Sequence, residues 1–106
     1  MEEYIMTIDE GTTSARAILF NKNSEIVAMC SKEFAQYYPT PGWVEQDPKE
    51  IWLTTKEVMN RVVQQSGIDP KQIKAAGITN QRETVVVYDK NTGEPVYNAI
   101  GWADRR

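Results

Sequence analysis

The sequence predicts an α/β chain in the order βββαβ followed by a β-hairpin. Three observations carry that prediction. Three extended runs separated by tight turns open the chain, one periodic helical segment with clear end signals follows, and two β-prone runs flank a turn cluster near the end. Tyr4 to Ile8 is rich in large apolar residues and is stopped by Asp9-Glu10-Gly11. Ser14 to Phe20 sets Ala15, Ala17 and Leu19 against Arg16, Ile18 and Phe20, the alternation of a strand with one buried face. Asn21-Lys22-Asn23-Ser24 is a turn cluster and Glu25 to Phe34 a third extended run, so these strands are expected to form an antiparallel meander. Tyr37 to Trp43 holds Pro39, Pro41 and Gly42 and reads as a loop.

The strongest local signal starts at Asp47, a capping residue, with Pro48 suited to the first helical position and Glu50 placed to complete a capping box. Ile51, Trp52, Thr55, Val58, Met59, Val62 and Val63 recur at helical spacing and predict one apolar face. Gly67 marks the C-terminal stop. After Asp69-Pro70, Ile73 to Thr79 reads as a buried strand with small residues at Ala75, Ala76 and Gly77. Thr84 to Tyr88 and Val96 to Ile100 flank Asp89-Lys90-Asn91-Thr92-Gly93 and predict the closing hairpin. Trp52 is assigned to packing on the helix, and Trp43 to packing after a Pro-Gly turn.

At 106 residues the chain is one domain at most, and its 41% hydrophobic and 25% charged residues suit a globular chain with a modest core. A net charge of −3 argues against a nucleic-acid partner, which would need a basic face. No apolar run approaches the ~18 residues of a membrane span, and the acidic Met1-Glu2-Glu3 opening is unlike a secretory leader. A single cysteine, Cys30, excludes an internal disulfide, and a cytoplasmic setting is expected. With no histidine in the chain, proton transfer would fall to a carboxylate.

Two motifs carry chemistry. If the first two strands form a hairpin, Asp9-Glu10-Gly11-Thr12-Thr13-Ser14 lies at its tip. Gly11 allows close backbone approach, the amides and hydroxyls of Thr12 and Thr13 can donate to phosphate oxygens, and Arg16, on the same strand face as Ser14, can reach a phosphate. Asp9 is placed to hold Mg²⁺, which prefers one or two carboxylates plus water and phosphate oxygens. Asp-x-Gly is equally a common tight-turn sequence, so the hairpin alone leaves both readings open. Arg82 and Glu83 follow a strand end and together offer donors and acceptors suited to neighbouring hydroxyls of a small polyol, against the alternative of a solvated loop pair. Trp102 can press against a carbon chain or serve as plain core.

Four stretches together resemble the glycerol kinases: Asp9 to Ser14, Gly42-Trp43-Val44-Glu45-Gln46-Asp47-Pro48, Gly77 to Thr84, and Trp102-Ala103-Asp104-Arg105-Arg106. The resemblance covers nearly the whole chain in the right order, and Asn80-Gln81-Arg82-Glu83-Thr84 is its most particular part. It implies a partial ribonuclease H-like, actin-like ATPase domain and transfer of the ATP γ-phosphoryl to a terminal hydroxyl of glycerol. Under it, Thr12, Thr13, Ser14 and Arg16 contact nucleotide phosphates, Asp9 serves the Mg²⁺, and Arg82, Glu83 and Trp102 bind glycerol. Glu10 departs from a frequent Gln, and Gly101 and Ala103 are smaller than usual, implying a looser pocket wall. The resemblance further implies that residues 1–106 are the incomplete N-terminal part of the first domain, with the general base, a later Asp, and the adenosine site beyond position 106. The chain alone is then expected to be inactive, and uncovered sheet edges and apolar faces are expected to make it a homo-oligomer. Another polyol or sugar kinase, or a noncatalytic fragment acting as an interaction module, are the alternatives.

Overall fold

The computed structural model describes residues 2–81 and 83–106. Strands β1 (Tyr4–Glu10), β2 (Ser14–Asn21) and β3 (Ile26–Glu33) form the expected antiparallel meander. Helix α1 (Pro48–Ser66) then leads through a short 3-10 turn (Pro70–Gln72) into β5 (Ile73–Thr79), which pairs with β1 in parallel. The sheet order is β3-β2-β1-β5, so α1 bridges parallel strands by crossing over the two between them, the connection that a parallel pair requires. Two-residue strands β4 (Glu45–Gln46) and β6 (Ala99–Ile100) form a separate antiparallel pair. No helix of the described residues is long and apolar enough to cross a membrane.

The core lies between α1 and one face of the meander. Met6, Ile8, Ala15, Ala17, Leu19 and Cys30 from the strands meet Val58 and Val62 from the helix. The three small-to-medium residues of β2 are wholly buried, which lets the helix approach closely, as the alternation predicts. The Asp47 side chain accepts from the Lys49 amide at 3.0 Å and Pro48 occupies the first turn. At the other end Gly67 takes φ 72° and its amide donates to the Val63 carbonyl. A left-handed residue there costs an L side chain about 1–2 kcal/mol, which is why glycine ends this helix.

Four expectations need correction. Glu50 does not complete a capping box: its carboxylate accepts from the Ala35 amide and the Tyr37 hydroxyl, both 3.0 Å away, and so ties down the preceding loop. Trp52 is 57% exposed and flanked by Lys56 at 5.6 Å from its ring, because the buried stripe runs through Thr54, Thr55, Val58 and Val62. Strand β5 is mostly exposed rather than buried, since α1 packs chiefly over β2 and β3 and leaves the opposite edge, β5, largely uncovered. The closing hairpin forms but is less regular than expected: it pairs through isolated bridges at Val85–Ile100 and Tyr88–Pro95 and a Val96 amide to Val87 carbonyl bond of 3.0 Å, while Ile100 also pairs with β4 on its other edge.

Candidate phosphate turn and polyol loop

The turn Gly11–Thr13 between β1 and β2 is built so that its acceptors are spent. The Gly11 amide donates to the Ser14 carbonyl at 2.9 Å, and a Cβ on residue 11 would meet that same oxygen at 3.1 Å, which favours glycine. The Thr13 carbonyl accepts from the Phe34 amide at 3.0 Å. The Thr12 carbonyl accepts from two side-chain amides, Gln36 Nε2 at 3.0 Å and Gln46 Nε2 at 2.8 Å, and the Gly11 carbonyl accepts from Gln81 Nε2 at 3.3 Å. Among the described residues the amides of Thr12 and Thr13 donate to no acceptor. A turn with capped carbonyls and spare amides suits an anion.

Asp9 and Glu10 end β1 on opposite faces. Glu10 turns toward α1, where its Oε1 accepts from the Thr55 hydroxyl at 2.6 Å while its Oε2 is buried without a partner. Asp9 lies on the face away from the helix, partly buried, directly opposite Arg16 on β2 and Thr79 on β5. Arg16 is exposed beside it. Among the described residues no group of three or more His, Cys, Asp or Glu could ligate a metal together. Asp9 offers a single carboxylate at this end of the sheet.

The loop that carries the candidate polyol residues starts on the same side. Strand β5 runs parallel to β1, so the loop after Thr79 emerges beside the phosphate turn, and Gln81 bonds to it. Arg82 lies outside the described residues. Glu83 is exposed with φ 58°, an unusual left-handed conformation for a residue with a side chain, of the kind that collects at binding loops at about 1–3 kcal/mol each. Trp102 is 58% exposed rather than part of this chain's core, and its Nε1 donates to the Thr12 hydroxyl at 3.1 Å. An open depression of about 740 Å³ lies beside it, lined by Trp102 and residues 103–106. Asp9, Thr12, Thr13 and Trp102 thus border one end of the sheet.

The segment Gly42–Pro48 braces this arrangement. The Val44 amide donates to Asp104 Oδ2 at 2.7 Å, and the Gly101 amide donates to the Val44 carbonyl at 2.9 Å. Buried Glu45 accepts from Arg106 Nη2 at 2.8 Å, the Tyr97 hydroxyl at 2.7 Å and Asn98 Nδ2 at 3.2 Å. The Arg106 guanidinium sits 3.8 Å from the centre of the Trp43 ring and also bonds Asp104. The Arg106 bond holds the Glu45 carboxyl below its ordinary range against the opposing effect of burial, and it holds Asp104 lower still. The bonds to Asp104 and Glu45 push Arg106 upward, and the bond to Glu45, with burial, pushes the Tyr97 hydroxyl upward against the opposing effect of Arg106. Trp102, between Gly101 and Asp104, is carried on this clamp. Gln36, Gln46 and Gln81, which hold the turn, were not foreseen from the sequence, though Gln46 and Gln81 lie within two of its four motif stretches.

Comparison with known proteins agrees with this fold. The profile of the N-terminal domain of the FGGY family of carbohydrate kinases matches residues 4–106. Proteins named glycerol kinase from Caldanaerobacter subterraneus subsp. tengcongensis and Chromobacterium violaceum are 57% and 56% identical over 106 and 105 residues, covering 100% and 99% of this chain. The chain spans about a fifth of the length of these curated relatives, 21% in both cases. Among solved structures, Plasmodium falciparum glycerol kinase with ADP superposes with a TM-score of 0.87 at 34% identity, over 99% of this chain and 21% of that one. Gluconate kinase from Lactobacillus acidophilus superposes with a TM-score of 0.88 at 30% identity, over 98% and 20%. The chain belongs to the FGGY family of carbohydrate kinases, whose N-terminal domain it matches over residues 4–106.

Proposed function

We propose that this chain supplies the phosphate turn and one wall of the polyol pocket of a glycerol kinase, which transfers the γ-phosphoryl of ATP to a terminal hydroxyl of glycerol. The observation that carries the reading is the turn itself, with every carbonyl from Gly11 to Ser14 capped and two adjacent amides spare. The identity of 55–57% to several proteins named glycerol kinase supports glycerol over other polyols. In this reading Thr12, Thr13 and Ser14 contact nucleotide phosphate, with Arg16 alongside. Arg82 and Glu83 bond the glycerol hydroxyls, and Trp102 packs against its carbons. Asp9 would hold Mg²⁺, which supplies charge neutralisation on the phosphates. Phosphoryl transfer depends mainly on such positioning and charge stabilisation. The general base is a carboxylate beyond residue 106, and the setting is cytoplasmic.

A chimera tests this. Residues 1–106 are joined to the remaining four-fifths of the 57%-identical Caldanaerobacter relative, and glycerol-dependent ADP formation from Mg·ATP is measured beside that relative. Activity within about tenfold of the relative is expected, with Asp9→Asn lowering it by about 10²-fold or more, the scale of losing one electrostatic contact to a reacting phosphoryl group. A folded chimera that ignores glycerol overturns the reading.

A further inference from the structure

Gly42–Pro48 belongs to the recognised pattern, yet the reaction described above leaves Gln46 without a task. Gln46 is completely buried. Both hydrogens of its carboxamide are used, one on the Thr12 carbonyl at 2.8 Å and one on Gln36 Oε1 at 2.9 Å, while its own Oε1 is buried without a partner. A buried amide with an unmet acceptor is a poor choice for packing alone, so donation is what the position provides. Gln36 in turn donates to the same Thr12 carbonyl at 3.0 Å, so Gln46 both holds that oxygen and aligns its second donor.

The consequence follows from peptide geometry. The Thr12 carbonyl and the Thr13 amide belong to one planar trans unit and point in opposite directions. Fixing the oxygen toward Gln46 and Gln36 therefore aims the Thr13 N–H away from them. Gln81 does the same for the Gly11 carbonyl and the Thr12 N–H.

We propose that Gln46 is a positioning residue that sets the Thr12–Thr13 peptide plane, so that the Thr13 amide is a fixed donor to the nucleotide phosphate. The inference rests on the phosphate reading of the turn and deepens it. It separates nucleotide binding, which the plane controls, from glycerol binding, which it does not.

The experiment uses Gln46→Met, which keeps volume and removes both donors, in the chimera described above. The KM for Mg·ATP rises about tenfold or more, as expected for a misdirected donor to a charged group, while the KM for glycerol moves less than about twofold. Gln46→His, which returns an N–H, recovers part of the loss. A merely structural role would lower the thermal midpoint and leave both KM values alone, and that result, or equal rises in both, overturns the proposal. Should Gln46→Met fail to fold, Gln36→Met at a half-buried site is expected to show the same split at smaller size, and its absence is equally decisive. Calorimetry with Mg·ADP reads the nucleotide effect even in a chimera that lacks glycerol turnover, so failure of the glycerol reading and failure of this one are distinct results.

Discussion

Replacing Leu19 by alanine tests the claim that one face of the sheet holds the core and the other does not. Leu19 is 0% exposed on β2 and belongs to the cluster completed by Val58 and Val62 of α1. Three carbon groups are lost, worth about 2.4 kcal/mol at ~0.8 kcal/mol each, and an unfilled cavity adds to that. About 3 kcal/mol is therefore expected, a large share of the roughly 5–15 kcal/mol typical of a domain. With a urea slope of about 1–3 kcal/mol/M, the midpoint falls by about 1–3 M in circular-dichroism melts. The control is Ile5→Ala, on the adjacent strand but on the other face and 48% exposed, where about 1 kcal/mol is expected. Equal losses at the two positions would refute the one-sided core and show that something else covers the outer face.

Two further outcomes follow. Glu45 and Asp104 bind protons less readily folded than unfolded, so their contribution is complete above the ordinary values of 4.5 and 3.8 and is withdrawn as pH falls below them. Thermal midpoints measured from pH 7 to 3 should fall most steeply below about pH 4.5, and Arg106→Gln should flatten that fall; an unchanged slope would remove Arg106 as its cause. The exposed apolar residues Ile5, Met29 and Ile78 and the uncovered edge of β5 should make the 106-residue chain self-associate. A monomer in sedimentation runs across the micromolar to millimolar range would contradict this.

The parts legible in the sequence are those written in local period or punctuation. The alternation of Ala15, Ala17 and Leu19 and the Asp47–Gly67 bounds of α1 needed only neighbours a few residues away. The exposure of β5 is not legible, because burial is set by what packs on a strand, and its small apolar residues carry no record of that cover. Strands β4 and β6 have two residues each, too few to show a period. Trp52 sat at a position that helical spacing allows on either margin of the buried stripe. At the site, the chemistry-bearing residues were visible by type, but the glutamines that orient the turn act across separations of 24, 34 and 70 residues, and a carboxamide carries no spacing that marks such a contact.

The parallel pairing of β1 with β5 has a consequence for the spacing of the two loops. Asp9 and Thr79 are register partners, so the two loops leave the sheet from adjacent strands, which lie about 4.8 Å apart. Under the proposed function, backbone hydrogen bonding, rather than any loop, would act as the ruler between donor phosphate and acceptor hydroxyl. Residues after Thr79 would then be free to exchange one acceptor molecule for another while the ruler stayed the same length.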